Sequence, residues 1–151
     1  MARSVPRKPR SKTNRKPIRR KSAGKDAVAA SIRKLRAICL ALPEAVEKTS
    51  HGEPTWFAGN GKVFAMLDDH HHGAPHLSVW LPAGLGAQES LIASDPKRYF
   101  RPPYVGASGW VGVVLDDAPD WAVVAWLVEQ GYRVVAKPRL VALLPVRDET
   151  Q

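Results

Sequence analysis

The sequence has a single cysteine, Cys39, among its 151 residues. One thiol cannot form a disulfide within the chain, and it cannot supply a cysteine-based zinc site. The sequence contains no apolar run of the 18 or more residues that a transmembrane helix needs, and its charged N-terminus lacks the apolar stretch of a secretory signal. These absences predict a cytoplasmic protein without a membrane partner.

The first 25 residues contain no acidic residue and almost no apolar side chain, yet they hold 11 of the 23 lysines and arginines. The other 12 basic residues are outnumbered by 14 acidic ones, so the formal charge is +11 in residues 1–25 and −2 in residues 26–151. Such a segment cannot bury enough surface to offset the entropy of ordering. We therefore predict a disordered basic tail over residues 1–25 and one folded domain over residues 26–145.

Two amphipathic segments frame the domain. An apolar stripe with helical spacing, from Val28 to Leu42, predicts a helix over residues 27–42 that ends before Pro43. Asp117 and Pro119 suggest the start of a second helix, which we expect to break at Gly131, to resume over residues 132–137 and to end at Pro138. We expect both helices to lie against the core.

The middle of the chain has the pattern of a sheet. A hairpin is predicted over residues 54–67, with its turn at Gly59-Asn60-Gly61, and further strands are predicted at 76–81 and 110–115. A short helix is expected within residues 84–94, and the five tryptophans are expected in the core. The order helix, sheet, helix predicts an α+β domain with helices on one face of an antiparallel sheet.

Three stretches in this order resemble the MmcQ/YjbR family. The first includes His51-Gly52-Glu53-Pro54-Thr55-Trp56 and Gly61-Lys62-Val63-Phe64-Ala65, the second includes Pro103-Tyr104-Val105-Gly106 and Gly109-Trp110-Val111-Gly112-Val113, and the third runs from Asp120-Trp121 to Lys137. The resemblance covers residues 33–140, and the basic tail lies outside it. It implies a fold like that of the bacterial frataxin CyaY, and it implies DNA binding through a double-wing-like motif.

The basic tail and two clusters on the domain are the candidate contacts with nucleic acid. Lysine and arginine neutralise phosphates, and aromatic rings can stack on exposed bases. The first cluster is Lys97-Arg98-Tyr99-Phe100-Arg101 with Tyr104, and the second is Arg133, Lys137 and Arg139. Tyr99 and Phe100 in the first cluster are more often core residues in such a pattern. The predicted contacts are Arg7, Lys8, Arg10, Arg15, Lys16, Arg19, Arg20, Lys21, Lys62, Arg98, Arg101, Tyr104, Lys137 and Arg139.

Four histidines in one loop, His70, His71, His72 and His76, are an alternative metal site because imidazole binds zinc, nickel and copper. Neighbours in a loop seldom have the fixed geometry of a dedicated site, so a hairpin tip is the favoured interpretation and no cofactor is predicted. His51 and Glu53 would point the same way from a strand as an acid/base pair. No nucleophile motif accompanies them, so we predict no enzyme.

The leading hypothesis is a DNA-binding protein of the bacterial cytoplasm, associated with the nucleoid, which binds non-specifically and in a salt-sensitive way through its tail and a surface of the domain. A protein-interaction or structural module, with a tail that only solubilises or tethers it, is the second hypothesis. A metal-handling protein or an enzyme is the third. A flat basic face would favour the first, a large exposed apolar patch the second, and a groove with converging carboxylates and histidines the third.

Overall fold

The computed structural model describes residues 19–71 and 75–146. The helices are α1 (Arg19–Leu40), α2 (Ala87–Ser94), α3 (Trp121–Val135) and α4 (Pro138–Val141), with a 3-10 helix at Val105–Ser108. The strands are β1 (Ala45–Ser50), β2 (Glu53–Ala58), β3 (Val63–Asp69), β4 (Leu77–Pro82), β5 (Tyr99–Phe100) and β6 (Trp110–Val114). The predicted α+β class is confirmed.

All six strands join one antiparallel sheet in the order β1-β2-β3-β4-β6-β5. The two long helices α1 and α3 contact each other, and α3 lies on the central strands β3 and β4. Their common core contains Leu35, Val79, Val113 and Val128, each at most 1% exposed. Strand β1 was not predicted, because its polar Glu47, Lys48 and Thr49 lack the alternation of a half-buried strand.

Helix α1 is longer than predicted at its N-terminus, where it begins at Arg19 instead of residue 27. The chain has no proline between Pro17 and Pro43, and its lysine, arginine and alanine residues favour a helix. Helix α1 therefore begins within the segment that was predicted as a tail. The predicted apolar stripe is correct, since Leu35 and Cys39 are fully buried and Val28 and Ile32 pack against the core.

Helix α3 differs from its prediction at both ends. Its N-cap is Asp120, whose carboxylate accepts the backbone N–H groups of Ala122 and Val123 at 3.0 and 3.4 Å. The expected break at Gly131 is wrong, because the helix continues through this residue to Val135. A Cβ at Gly131 would lie 3.2 Å from Pro82 Cδ and 3.3 Å from Phe64 O. The glycine therefore permits close packing of helix on sheet instead of ending the helix. Pro138 likewise begins α4.

A register shift in the β2–β3 hairpin adds to the core. Trp56 pairs with Ala65 and Phe57 pairs with Val63, so Phe64 is an extra residue on β3. Phe64 and Ala65 are both fully buried as a result. The Phe64 ring meets the Tyr132 ring edge to face at a centroid distance of 5.2 Å. This contact joins the hairpin to α3.

The tryptophans are less uniformly buried than predicted. Trp56 and Trp80 are buried, but Trp110 and Trp121 are only partly covered. Trp126 is 44% exposed, so its assignment to the core was wrong. It lies on α3, where the apolar sequence continues around the helix.

Cys39 lies on the inner side of α1, in the core, and is fully buried. Burial in apolar surroundings strongly raises the pKa of its thiol, and the negative charge of Glu47 raises it further. The thiol is therefore protonated and shielded from reagents in the folded protein.

Candidate nucleic-acid interface

The first predicted cluster lies where β5 leads into the 3-10 helix. Arg98, Arg101 and Tyr104 fall within seven residues of the chain, and the exposed Lys97 precedes them. Tyr99 and Phe100 between them are partly buried, and Tyr99 packs against the core, as the core interpretation predicts. Phe100, the next residue of the strand, instead covers Gly112 on the opposite face of the sheet.

Arg98 is engaged within the fold. Its Nη1 donates to the backbone carbonyl of Val114 at 3.0 Å and to that of Asp116 at 2.7 Å. The guanidinium thus fastens the short edge strand β5 to the end of β6. This role in the fold competes with phosphate binding at Nη1, while its other donors stay predicted contacts.

Arg101 and Tyr104 project from a tightly constrained turn. The aliphatic part of Arg101 packs on Gly106, where a Cβ would lie only 2.6 Å from Arg101 Cγ, so no other residue fits there without a shift. Tyr104 has φ 63° and ψ −69°. The Val105 N–H donates to Pro103 O at 2.7 Å, which closes a three-residue γ-turn around Tyr104. The Tyr104 side chain is 81% exposed.

The second cluster lies at the junction of α3 and α4. Lys137 is the exposed N-cap of α4, and Arg139 forms a two-pronged ion pair with Glu44 at 3.2 and 2.9 Å. The Arg139 hydrogen bond lowers the pKa of the Glu44 carboxyl, and that of Arg139 is raised in return. Lys62, exposed after the β2–β3 turn, is close in the fold because Gly59 N–H donates to Glu44 O at 2.9 Å.

The tail contributes the third group. Arg19, Arg20 and Lys21 have helical backbone in the first turn of α1. Arg7, Lys8, Arg10, Arg15 and Lys16 lie outside the described residues. Within the described ranges no ion pair holds Lys62, Lys97, Arg101 or Lys137, so these four cations remain available for an anionic partner.

The histidines of the β3–β4 loop point to three different carboxylates. His70 Nδ1 lies 2.6 Å from Asp69, His71 Nε2 lies 2.9 Å from Glu53, and His76 Nδ1 lies 3.8 Å from Asp116. Across residues 19–71 and 75–146 no three His, Cys, Asp or Glu side chains are placed to hold a metal ion. His72 lies outside the described residues, so the metal alternative is untested at that position.

His51 and Glu53, which were considered as an acid/base pair and not favoured, do not share a strand. His51 lies in the turn between β1 and β2, with φ 52°, and only Glu53 belongs to a strand. Burial raises the pKa of the Glu53 carboxyl, and Asp69 and Asp68 raise it further, while His71 and a backbone hydrogen bond from Asp69 oppose the shift. Glu53 is thus a partly buried acid with His71 as its neighbour.

An apolar row on the outer side of α3 was missed by sequence reasoning. Val123, Trp126 and Val134 are 40%, 44% and 51% exposed, and they follow each other at helical spacing. A signal existed, because α3 is apolar almost all round and a helix at a sheet can bury only part of its circumference. Leu143 and Val146, also exposed, follow α4.

Six antiparallel strands in one sheet, with the two long helices packed against each other, define an α+β domain. A groove of about 1120 Å³ lies beside α1, and its lining includes Asp69, His70 and Asp116. The family model described as YjbR matches residues 40–134, and the chain belongs to the YjbR family. The predicted resemblance is thereby confirmed. None of the described helices is both long enough and apolar enough to span a bilayer.

The fold is also similar to a solved structure. It is the crystal structure of a Deinococcus radiodurans protein with the family domain DUF419, at a TM-score of 0.57 and 18% sequence identity. The match covers 68% of this chain and 76% of the other. At this identity the likeness concerns the fold alone. No curated protein sequence matches this chain.

Proposed function

We propose that this YjbR-family protein binds nucleic acid non-specifically in the bacterial cytoplasm, through its basic N-terminal segment and a surface of its domain. One observation supports this most directly: residues 1–25 carry a charge of +11 and the rest of the chain −2. Phosphates attract such a segment and release their counterions when it binds, so association needs no sequence-specific contact. DNA in the nucleoid is the substrate that this chemistry favours.

The end of the basic segment is attached to a rigid element. Arg19, Arg20, Lys21 and Lys25 belong to α1, which packs on α3. Residues 1–18 directly precede that helix in the sequence, and 18 residues can reach at most roughly 65 Å. Bound phosphates would therefore lie close to the domain, and a second contact on its surface would act at high effective concentration.

Salt dependence of duplex binding tests the proposal. With about six phosphate contacts from residues 1–18, the logarithm of affinity should fall with the logarithm of salt concentration at a slope near −5. Deleting residues 1–18 leaves α1 complete and should remove most of that slope. A full-length variant with the seven basic residues of 1–18 changed to glutamine separates charge from chain length and should behave like the deletion.

Residual binding by the shortened chain then locates the domain surface. Charge reversal at Arg98 and Arg101, or at Lys137 and Arg139, should abolish it if one of these clusters contributes. If the full-length protein binds duplex DNA with no salt dependence, or does not bind even at low salt, the proposal is wrong. The interaction module would then be the better explanation.

The outer row of α3 favours that second candidate function. Two grooves of about 410 and 560 Å³ flank Trp126, one against Leu91 and Val111 and the other against Val141 and Leu144. Tryptophan between apolar grooves is typical of a protein contact. Sedimentation at increasing concentration should show self-association that Trp126→Asp removes, if a second copy of the chain is the partner. A monomer at all concentrations would exclude that partner.

A further inference from the structure

The Tyr104 side chain buries little surface on folding, because 81% of it is exposed. Its backbone is also unfavourable. A positive φ of 63° with ψ −69° is a steric outlier for a bulky residue, and a γ-turn of this hand is rare and strained. Glycine would adopt the same conformation at a much smaller cost. Burial of apolar surface therefore does not account for a tyrosine here.

The surroundings hold this turn in place. Pro102 and Pro103 fix their own backbone angles, and Gly106 N–H donates to Pro102 O at 3.1 Å. Gln88 Nε2 donates to Gly106 O at 2.8 Å and also to Trp110 O. Pro102 and Gly106 are themselves buried. The backbone of the turn is thus constrained, and it presents the Tyr104 ring to solvent.

Two cations, Lys97 and Arg101, precede Tyr104 in the sequence. Arg101 and Lys97 are exposed, and within the described ranges neither belongs to an ion pair. The nearest acid in sequence, Asp95, accepts the backbone N–H groups of Lys97 and Arg98 at 3.2 Å each, so it caps the turn before β5. An exposed ring on a constrained turn, with two cations outside ion pairs close to it in the sequence, matches what single-stranded nucleic acid requires of a protein surface.

We propose that Tyr104 stacks on an unpaired base while Arg101 and Lys97 contact the neighbouring phosphates. This inference rests on the proposed function and narrows it, because bases in an intact duplex are already stacked and offer no free face. The basic segment would bind single and double strands alike. The Tyr104 surface would add a preference for single strands.

Fluorescence anisotropy with the full-length protein tests this preference. The probes are a labelled oligothymidylate of about 20 nucleotides and a duplex of the same length. Tyr104→Ala should weaken oligothymidylate binding roughly 5- to 150-fold, the equivalent of one stacked base, and should leave duplex affinity unchanged. Tyr104→Phe keeps the ring and should bind as the wild type does.

Tyr104→Gly distinguishes binding from folding. It removes the ring and relieves the positive φ, so it should bind oligothymidylate as weakly as Tyr104→Ala and should melt no lower than the wild type. If Tyr104→Gly melts clearly lower, the tyrosine serves the fold and the inference is wrong. Cross-linking with 5-iodouracil in the oligothymidylate should modify the peptide that contains Tyr104, and cross-links confined to residues 1–18 would contradict the inference.

The two proposals fail in different ways. If the wild type binds neither probe, the proposed function itself is wrong. If the wild type binds both probes and Tyr104→Ala binds oligothymidylate equally well, only the stacking inference is wrong, and this surface would be left for a protein partner.

Discussion

Residue size is matched to packing where α3 contacts the sheet, but it is not matched to packing in the turn at Tyr104. At Gly131 a side chain is absent because a Cβ would crowd Pro82 and Phe64. At Tyr104 a large side chain is present where the backbone would favour none and where packing gains little. The first choice follows from close packing. The second departs from the requirements of the fold, and such departures concentrate at functional sites.

Two tryptophans extend the comparison between packed and exposed positions, and we expect the largest change in the free energy of unfolding there. Trp56→Ala should lower the free energy of unfolding by about 3–5 kcal/mol, because Trp56 is fully buried in the core. Its matched control, Trp126→Ala, should cost less than about 1 kcal/mol, since that ring is 44% exposed. Urea denaturation measures both. Equal losses would mean that the outer side of α3 is covered in solution.

The two arginines beside Tyr104 should show an intermediate effect. Arg98→Met should cost about 1.5–3 kcal/mol, since a charged donor to the carbonyls of Val114 and Asp116 is lost. Arg101→Met keeps the aliphatic packing on Gly106 and should cost about 0.5 kcal/mol or less. Nucleic-acid affinity should show the opposite order, with Arg101→Met the weaker binder. If Arg98→Met unfolds like the wild type, its guanidinium does not fasten β5.

The smallest expected effect concerns Glu53, where the prediction is the sign of the change in unfolding free energy with pH. Its pKa is raised by burial, so the native state binds more protons than the unfolded state between the unfolded pKa of about 4.5 and the higher folded value. The stability that ionisable Glu53 contributes should therefore fall as pH rises through that window. The difference in unfolding free energy between the wild type and Glu53→Gln, measured from pH 4 to 8, should decrease accordingly.

Glu44→Gln is the matched control for Glu53. The pKa of Glu44 is lowered by Arg139, so its contribution is present above the unfolded pKa of about 4.5 and is lost as pH falls through the depressed folded value. The corresponding difference between the wild type and Glu44→Gln should therefore increase with pH. The same sign for both variants would contradict the assigned environments of the two carboxyls.

Local patterns predicted the elements whose periodicity matched their burial. The stripe from Val28 to Leu42 identified the buried side of α1, and Asn60 between glycines identified the β2–β3 turn. The failures had physical causes. Gly131 has the local character of a helix breaker, but its role depends on Pro82 and Phe64, which are far away in the sequence.

The candidate site was predicted by residue type but not by geometry. Arg98, Arg101 and Tyr104 could all be chosen because cations and an aromatic ring stand close together in the sequence. Sequence spacing could not show that Arg98 donates to the carbonyls at the end of β6, nor that Tyr104 has a positive φ. The contact of Arg98 depends on where β5 meets β6, which is settled only in the assembled sheet.

The single thiol of the chain offers a consequence of a different kind. Cys39 is fully buried on the inner side of α1, so a thiol reagent can reach it only when that helix separates from the rest of the core. The rate at which a thiol reagent labels Cys39 would therefore report how often the domain opens. Because no second thiol exists, the signal would need no mutagenesis to interpret, and it could be followed with nucleic acid present. A ligand that stabilises the closed form would lower the labelling rate of Cys39.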